Sequence, residues 1–358
     1  MKYFLSFFLL AASVLKAQPP IPGSVNGLNQ LDLFNVKMKS NVACYRIPAL
    51  VVANNGDLIA AIDERGPSCA DLKANDNINI VMRKSRDNGK TWTDIHTLVD
   101  YPLGKSASDP SFINDNKTGT IFMFYNYMDL NKEKDIYYLH FIKSTDNGES
   151  WSEPEDITSQ ISKPEWHGDF KFITSGKGTQ TASGVLLHTL VNLKNGVFVF
   201  GSNDHGKTWF LRDTPLKPAD ESKIIELSNG SWMVNSRVNS PGMRYVHISK
   251  DQGKSWTSKP EFALTDPACN AAIIRYNSKN INCLLFVNAD SKDTRKNLSI
   301  KISYDEGKTW SKGKTIYSGS SAYSDLVVMK NGEIGMLFEK NEYSENVFLS
   351  FPFNWISN

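Results

Sequence analysis

The clearest regularity in the chain is an alternation of apolar and polar positions that stops repeatedly at the same polar signature. Leu298, Ile300 and Ile302 share one face of an extended segment, with Ser299, Lys301 and Ser303 on the other, the period-two pattern of a half-buried strand. The signature follows at once. Its first copy is Ser85-Arg-Asp-Asn-Gly-Lys-Thr-Trp92, and Ser144–Trp151, Ser202–Trp209, Ser249–Trp256 and Ser303–Trp310 fit the same S-x-D-x-G-x-(T/S)-W frame. An Asp two residues before a Gly makes a tight turn, because the carboxylate bonds nearby backbone amides while Gly takes the φ > 0 position. Each copy is therefore predicted as a hairpin tip, with its Trp re-entering the core as an apolar plug between sheets.

Successive copies begin 59, 58, 47 and 54 residues apart. At that period the chain holds about six units. Helical periodicity of useful length is scarce, and radial repetition is one of the few ways an all-β chain hides its strand edges. The pattern predicts an all-β, six-bladed β-propeller. No Pro/Ser/Gly-rich linker interrupts the series, so residues 18–358 are expected to form one domain. An aspartate present in every unit cannot mark a single active site, and the turn aspartates are read as structural.

With 40% hydrophobic and 22% charged residues, the chain can bury a sizeable core without metals or dense disulfides. Residues 1–17 have the layout of a cleavable signal peptide: Lys2, an apolar run from Tyr3 to Leu15, then Lys16-Ala17. That run is short for a membrane span and no second one follows, so stable membrane insertion is not expected. Without Lys2 and Lys16 the chain carries 38 basic and 38 acidic residues, and nothing global attracts nucleic acid. An exported chain can oxidise Cys44, Cys69, Cys269 and Cys283 in three connectivities, one of which joins Cys269 to Cys283 across a hairpin. Neither these cysteines nor the six histidines have metal-ligand spacing, so no metal or other cofactor is expected.

Catalytic residues of a propeller lie where the repeats differ. The polar motifs there are Tyr45-Arg46-Ile47-Pro48, Asp63-Glu64-Arg65 with Asp71, Ser108-Asp109-Pro110-Ser111, Asp220-Glu221 with Asn235-Ser236-Arg237, Arg295-Lys296-Asn297-Leu298, Ala322-Tyr323-Ser324 and Phe338-Glu339. An Arg-Ile-Pro motif ahead of repeated Asp boxes, then Glu, Arg, Arg, Tyr and Glu in that order, resembles the bacterial and animal exo-sialidases over nearly the whole chain. The resemblance implies hydrolysis of terminal sialic acid from glycoproteins, gangliosides or other sialylated glycans. It makes Arg46, Arg237 and Arg295 the cluster that grips the sugar carboxylate, a task suited to guanidinium, which stays charged and offers forked donors. Glu339 would compensate their mutual repulsion. Tyr323 matches the family nucleophile and Glu221 the carboxylate that takes its proton, with Glu226 as the alternative. A tyrosine suits a sugar with a carboxylate on its anomeric carbon, because an Asp or Glu nucleophile would meet like-charge repulsion. Asp71 matches the acid/base, with Asp76 a rival, and Arg65 and Asp109 match positions that contact the sugar's O4 and N-acyl side.

The segment Gly176-Lys-Gly-Thr-Gln180 resembles the family's Gly-x-Gly-Ile-Gln, but Thr179 replaces the apolar residue and His188 stands where proline is frequent. It is read as a rim segment bearing on the leaving group. Two other readings share the sequence: a trans-sialidase, intramolecular or not, with the same residues, and a non-catalytic Asp-box propeller, which would have lost some of them. The oligomeric state is not legible.

Overall fold

The computed structural model describes residues 19–240 and 242–357; the leader expected over residues 1–17 lies outside them. The fold is all-β. The described α-helices are Thr158–Ile161 and Phe353–Ser357, one turn each. Four sheets follow one another along the chain, beginning at Cys44–Val52, Lys105–Asp115, Lys171–Ile173 and Ser222–Glu226, and their pairing is antiparallel apart from one two-residue strand added to the second. The remaining strands form an eight-stranded sheet, in which Lys314–Val328 changes partner midway. Its first half pairs with Lys296–Ser303 and its second half, from Ser321, with Ile334–Lys340.

The chain's start completes this last sheet. Leu28–Asn35 pairs with Glu345–Phe351, and the Asn346 amide donates to the Asp32 carboxylate at 3.1 Å. Apolar side chains fill the spaces between neighbouring sheets: Ala49 and Ile59 meet Phe112 and Met123, Ile113 and Phe122 meet Leu186 and Phe198, and Leu187 and Val199 meet Ile224 and Trp232. Ile225 and Met233 then meet Ile273 and Phe286. The circuit closes where Tyr45 and Leu50 of the first sheet pack against Leu337 and Phe348 of the last.

The five signatures are turns as expected, and the hydrogen bonds explain their composition. In the first, Ser85 Oγ donates to Asp87 Oδ1 and accepts from the Gly89 amide, while Asp87 accepts from the Thr91 amide and hydroxyl. Gly89 has φ +82°, and a Cβ there would lie 2.2 Å from Phe348 of the last sheet; one on Gly148 would lie 2.3 Å from Ile59 of the first. Each turn thus packs against its neighbour sheet with no room to spare. The preceding residue is left-handed too, from Asn88 (φ 59°) to Glu306 (φ 63°). The tryptophans depart from expectation. Trp92 and Trp209 are buried, whereas Trp151, Trp256 and Trp310 are half-buried while still packing against the apolar clusters between sheets.

The structure settles the cysteines, which sequence left open, and corrects one other expectation. Cys44 bonds Cys69, whereas Cys269 and Cys283 are buried free thiols. Cys283 lies opposite Tyr276 in its hairpin, which leaves Cys269 beyond the far end of that strand. The Gly176–Gln180 segment is not on the rim. Gly176–Lys177 runs parallel to Ser111–Phe112, Thr179–Gln180 pairs with Leu186–Leu187, and Lys177 Nζ donates to the carbonyls of Leu50 and Leu326 across the axis. His188 is buried against Ser111 and stacks on Phe200.

Candidate active site

Two motifs of the sequence share one backbone device. The strands Cys44–Val52 and Lys105–Asp115 lose register between Arg46 and Ala49 and between Ser108 and Ser111. At each irregularity the residue before a proline is left-handed: Ile47 at φ 65° and Asp109 at φ 65°. A β-branched residue there is a steric outlier, and strain of this kind persists only where surrounding structure enforces it. The Ile47 amide is held at 2.9 Å by Glu339 Oε1, and the Asp109 amide at 2.9 Å by Asp63 Oδ1. A third irregularity, between Ser321 and Ser324, presents Tyr323.

Two hairpins supply the remaining pairs, and both use a sixteen-residue spacing. Arg237 donates its backbone N–H to the Glu221 carbonyl at 2.9 Å, so the two flank the open end of the Ser222–Glu226/Trp232–Ser236 hairpin. Tyr323 and Glu339 flank the corresponding end of the Lys314–Val328/Ile334–Lys340 hairpin, and the Tyr323 amide donates to Glu339 Oε2 at 3.0 Å. Together these devices surround a cavity of about 370 Å³ lined by Arg46, Asp71, Asp109, Glu221, Arg237, Arg295 and Tyr323. Apolar side chains of Tyr137, Phe170, Phe172 and Leu193 form a further wall.

Inside it, Tyr323 Oη donates to Glu221 Oε2 at 2.7 Å, and the same oxygen accepts from Arg237 Nη1 at 2.5 Å. Arg237 Nη1 also lies 3.4 Å from Tyr323 Oη. Burial, then the Glu221 charge, holds the Tyr323 hydroxyl well above the ordinary tyrosine range, against the opposing pull of Arg237 and Arg295. The phenol is therefore neutral at rest. Arg46 pairs with Glu339 through Nε at 2.8 Å, which leaves its outer nitrogens free for a ligand. Arg295 carries no carboxylate partner among the described residues; Nη2 donates to the Ala268 carbonyl at 3.2 Å.

Arg65 does not line the cavity. Its guanidinium is buried and ties Asp63 (2.9 Å) to Asp71 (2.6 Å), while donating to the carbonyls of Cys69 and Ala70. The Cys44–Cys69 disulfide anchors the same loop beside Arg46. Asp71 itself is 82% exposed at the mouth. Burial would raise its carboxyl, but Arg65, Arg46 and Arg295 outweigh that and hold it below the usual range. Asp109 behaves oppositely: burial, then the Asp63 charge, pushes it up to about 8. Glu226 sits at the other end of its strand, accepting from the Ala182 amide, and Asp76 is an exposed loop residue; neither lines the cavity.

Three contributors had no role assigned from sequence. Asp63 holds Arg65, Ser108 and the Asp109 amide; its signal was an acidic residue ending an apolar run. Asn126 donates to Asp109 Oδ2 at 3.0 Å. Tyr343 lies 3.9 Å from the Arg46 guanidinium, and no motif marks it. Among the described residues no group of acidic, His and Cys side chains is placed to hold a metal, and no helix is long and apolar enough to cross a membrane.

The BNR repeat-like domain family matches residues 56–336. A sialidase of Micromonospora viridifaciens is 33% identical over 94% of this chain and 57% of the relative. One of Bacteroides fragilis (strain YCH46) is 30% identical over 84% and 61%. The solved structure of the Hadza microbial sialidase Hz136 matches with a TM-score of 0.81 at 28% identity, over 88% of this chain and 67% of that one. The intramolecular trans-sialidase from Ruminococcus gnavus shares the fold at TM-score 0.77 and 20% identity, over 93% and 99%. The chain belongs to the sialidase family with BNR repeats. It spans less than two thirds of the length of the two curated relatives.

Proposed function

We propose that this chain is an exo-α-sialidase that removes terminal sialic acid from glycoproteins, gangliosides or other sialylated glycans with retention of configuration. The observation that carries the reading is the 2.7 Å approach of Tyr323 Oη to Glu221 in a cavity that also holds three arginines and one exposed aspartate. The architecture is read as a six-bladed propeller formed by residues 18–358. In support, the eight-stranded sheet changes partner at Ser321, which divides it into two units beside the other four. Residues 1–17 are read as a leader for export, and the Cys44–Cys69 disulfide suits an oxidising compartment.

Arg46, Arg237 and Arg295 would bind the substrate carboxylate by charge-assisted hydrogen bonds. Arg65 is a positioning residue here, holding Asp71, while Asp109 keeps its place as a contact for the sugar's O4 and N-acyl side. In the first step Tyr323 Oη bonds the anomeric carbon, its proton passes to Glu221, and the glycosidic bond breaks as Asp71 protonates the leaving oxygen. In the second, Asp71 takes a proton from water, the water oxygen bonds the anomeric carbon, and the phenolic oxygen departs and regains its proton from Glu221. Two inversions restore configuration. Asp71 is a carboxylate in the empty cavity, so it must gain its proton on binding. A substrate carboxylate among the arginines offsets the charges that depress it, and the sugar covers it from water; both raise its pKa.

A 3-fluoro sialosyl fluoride tests the reading. It should add the sugar to the peptide containing Tyr323, and Tyr323→Phe should abolish the addition, while NMR should find the α-anomer as first product. Label on the Glu221 or Asp71 peptide, or a first-formed β-anomer, would remove Tyr323 from this role.

A further inference from the structure

Glu339 and Glu221 each neutralise one arginine, Arg46 and Arg237, whereas Arg295 has no carboxylate partner among the described residues. Tyr343 stands in the gap. Its ring lies under the Arg46 guanidinium at 3.9 Å, well inside the range of a cation–π contact, and its hydroxyl accepts from Arg295 Nη1 at 3.4 Å. Like Tyr323, it meets both Arg46 and Arg295.

The backbone beneath it is unusual. Asn341, Glu342 and Tyr343 are successive left-handed residues, at φ 50°, 53° and 71°, in the turn between Ile334–Lys340 and Glu345–Phe351. Residues with a Cβ visit that region at a cost and seldom in series. Here the turn is clamped: the Asn341 amide donates to the Ser320 carbonyl, the Tyr317 hydroxyl to Asn341 Oδ1, and the Ser344 amide and hydroxyl to the Asn341 carbonyl. Tyr343 packs against the cluster of Ile47, Cys269, Ala322 and Tyr323 and does not line the cavity.

We propose that Tyr343 is a positioning residue that fixes the spacing of Arg46 and Arg295, so that the two guanidiniums converge on one anion before it arrives. The inference rests on the arginine-cluster reading above. A neutral ring suits this place, because a second carboxylate would compete with the substrate's own, while a π face and one hydroxyl oxygen stabilise two cations without a formal charge.

The test measures binding of 2,3-didehydro-2-deoxy sialic acid and of its methyl ester, with kinetics on an aryl sialoside. Tyr343→Leu should weaken the acid about tenfold, as loss of a partly desolvated cation–π contact implies, and leave the ester unchanged. KM should rise by a similar factor and kcat should stay within about twofold. Tyr343→Phe should restore most of the acid affinity. Equal weakening of acid and ester, or no change in either, would overturn the inference. Arg295→Lys in the same assay separates the two levels. If it lowers acid binding and Tyr343→Leu does not, only the positioning role fails; if it also leaves acid binding unchanged, the arginine-cluster reading fails.

Discussion

Aspartate does opposite work in two regions of this molecule. In the Asp-box turns it lies at the surface, half-buried or exposed, each carboxylate is satisfied by its own turn, and hydrogen bonds pull Asp204 down to about 2, with Thr208 first among them. Around the cavity, Asp63 is buried and Asp109 half-buried beside it, both within reach of one arginine, and loss of solvation raises both. The box aspartates answer to residues within four positions; Asp63 answers to Ser108 and Asp109, more than forty positions away. A carboxylate whose partners are all local stabilises a turn. One whose partners converge from several sheets belongs to a site.

The sharpest break between the regions should come from the nucleophile. Tyr323→Phe is expected to lower turnover of a sialoside at least about a thousandfold, with a melting temperature close to that of the parent. A variant retaining a tenth of the activity would place Tyr323 with the structural residues.

The next effect concerns Asp71, whose loss should separate leaving groups. A nitrophenol departs without protonation and a galactoside does not, so Asp71→Ala should cost natural substrates about 10² to 10⁴-fold and aryl sialosides far less. Its depressed carboxyl also fixes a sign. The protonated form grows only as pH falls, so kcat/KM for the natural sialoside should rise toward acid pH more steeply than for the aryl one. Parallel pH profiles would remove Asp71 from the acid role, and the same selectivity in Asp76→Ala would transfer it.

A smaller change should follow from Arg295→Lys, which keeps the charge and removes the fork. KM is expected to rise about tenfold or more, checked by initial rates on an aryl sialoside. The smallest belongs to the turns. Asp204→Ala should cost about 1 to 2 kcal/mol through lost turn hydrogen bonds, lowering the melting temperature by a few degrees while the folded fraction keeps its turnover. Because the folded carboxyl is depressed, its contribution is present above the ordinary 3.8 and is lost as pH falls through about 2. A large loss of turnover without loss of stability would contradict the division between the regions.

Much of this was legible because it is written locally. The turns repeat within eight residues, and the strands before them alternate, so pattern alone gives the five turns and the strands leading into them. The sixteen-residue spacings of Glu221 with Arg237 and Tyr323 with Glu339 are hairpin geometry, which brings Glu221, Arg237 and Tyr323 to one cavity with Glu339 buried beneath it. What failed was position across sheets. Gly176–Gln180 could be matched to a motif but not placed, and only its parallel pairing with Ser111–Phe112 brings it to the axis. Arg65 lies among polar neighbours in sequence, and only the fold shows that its guanidinium is buried between Asp63 and Asp71, behind the cavity wall. Tyr343 depends on a left-handed turn that no nearby glycine announces.

The strand Leu28–Asn35, laid against Glu345–Phe351, sets a timetable for assembly. Asp32 and Asn346 are 314 positions apart, and Arg46 and Glu339 are 293 apart. Contacts of such high sequence separation form late, because the entropy of closing so long a loop must be met before they give anything back. During synthesis the earlier sheets can collapse in turn, but the arginine at one end of the chain has no glutamate until the last hairpin has emerged. Ring closure and the pairing of Arg46 with Glu339 are thus one kinetic event, and a chain cut short before Glu345 would keep many of its hairpins while leaving the ring open.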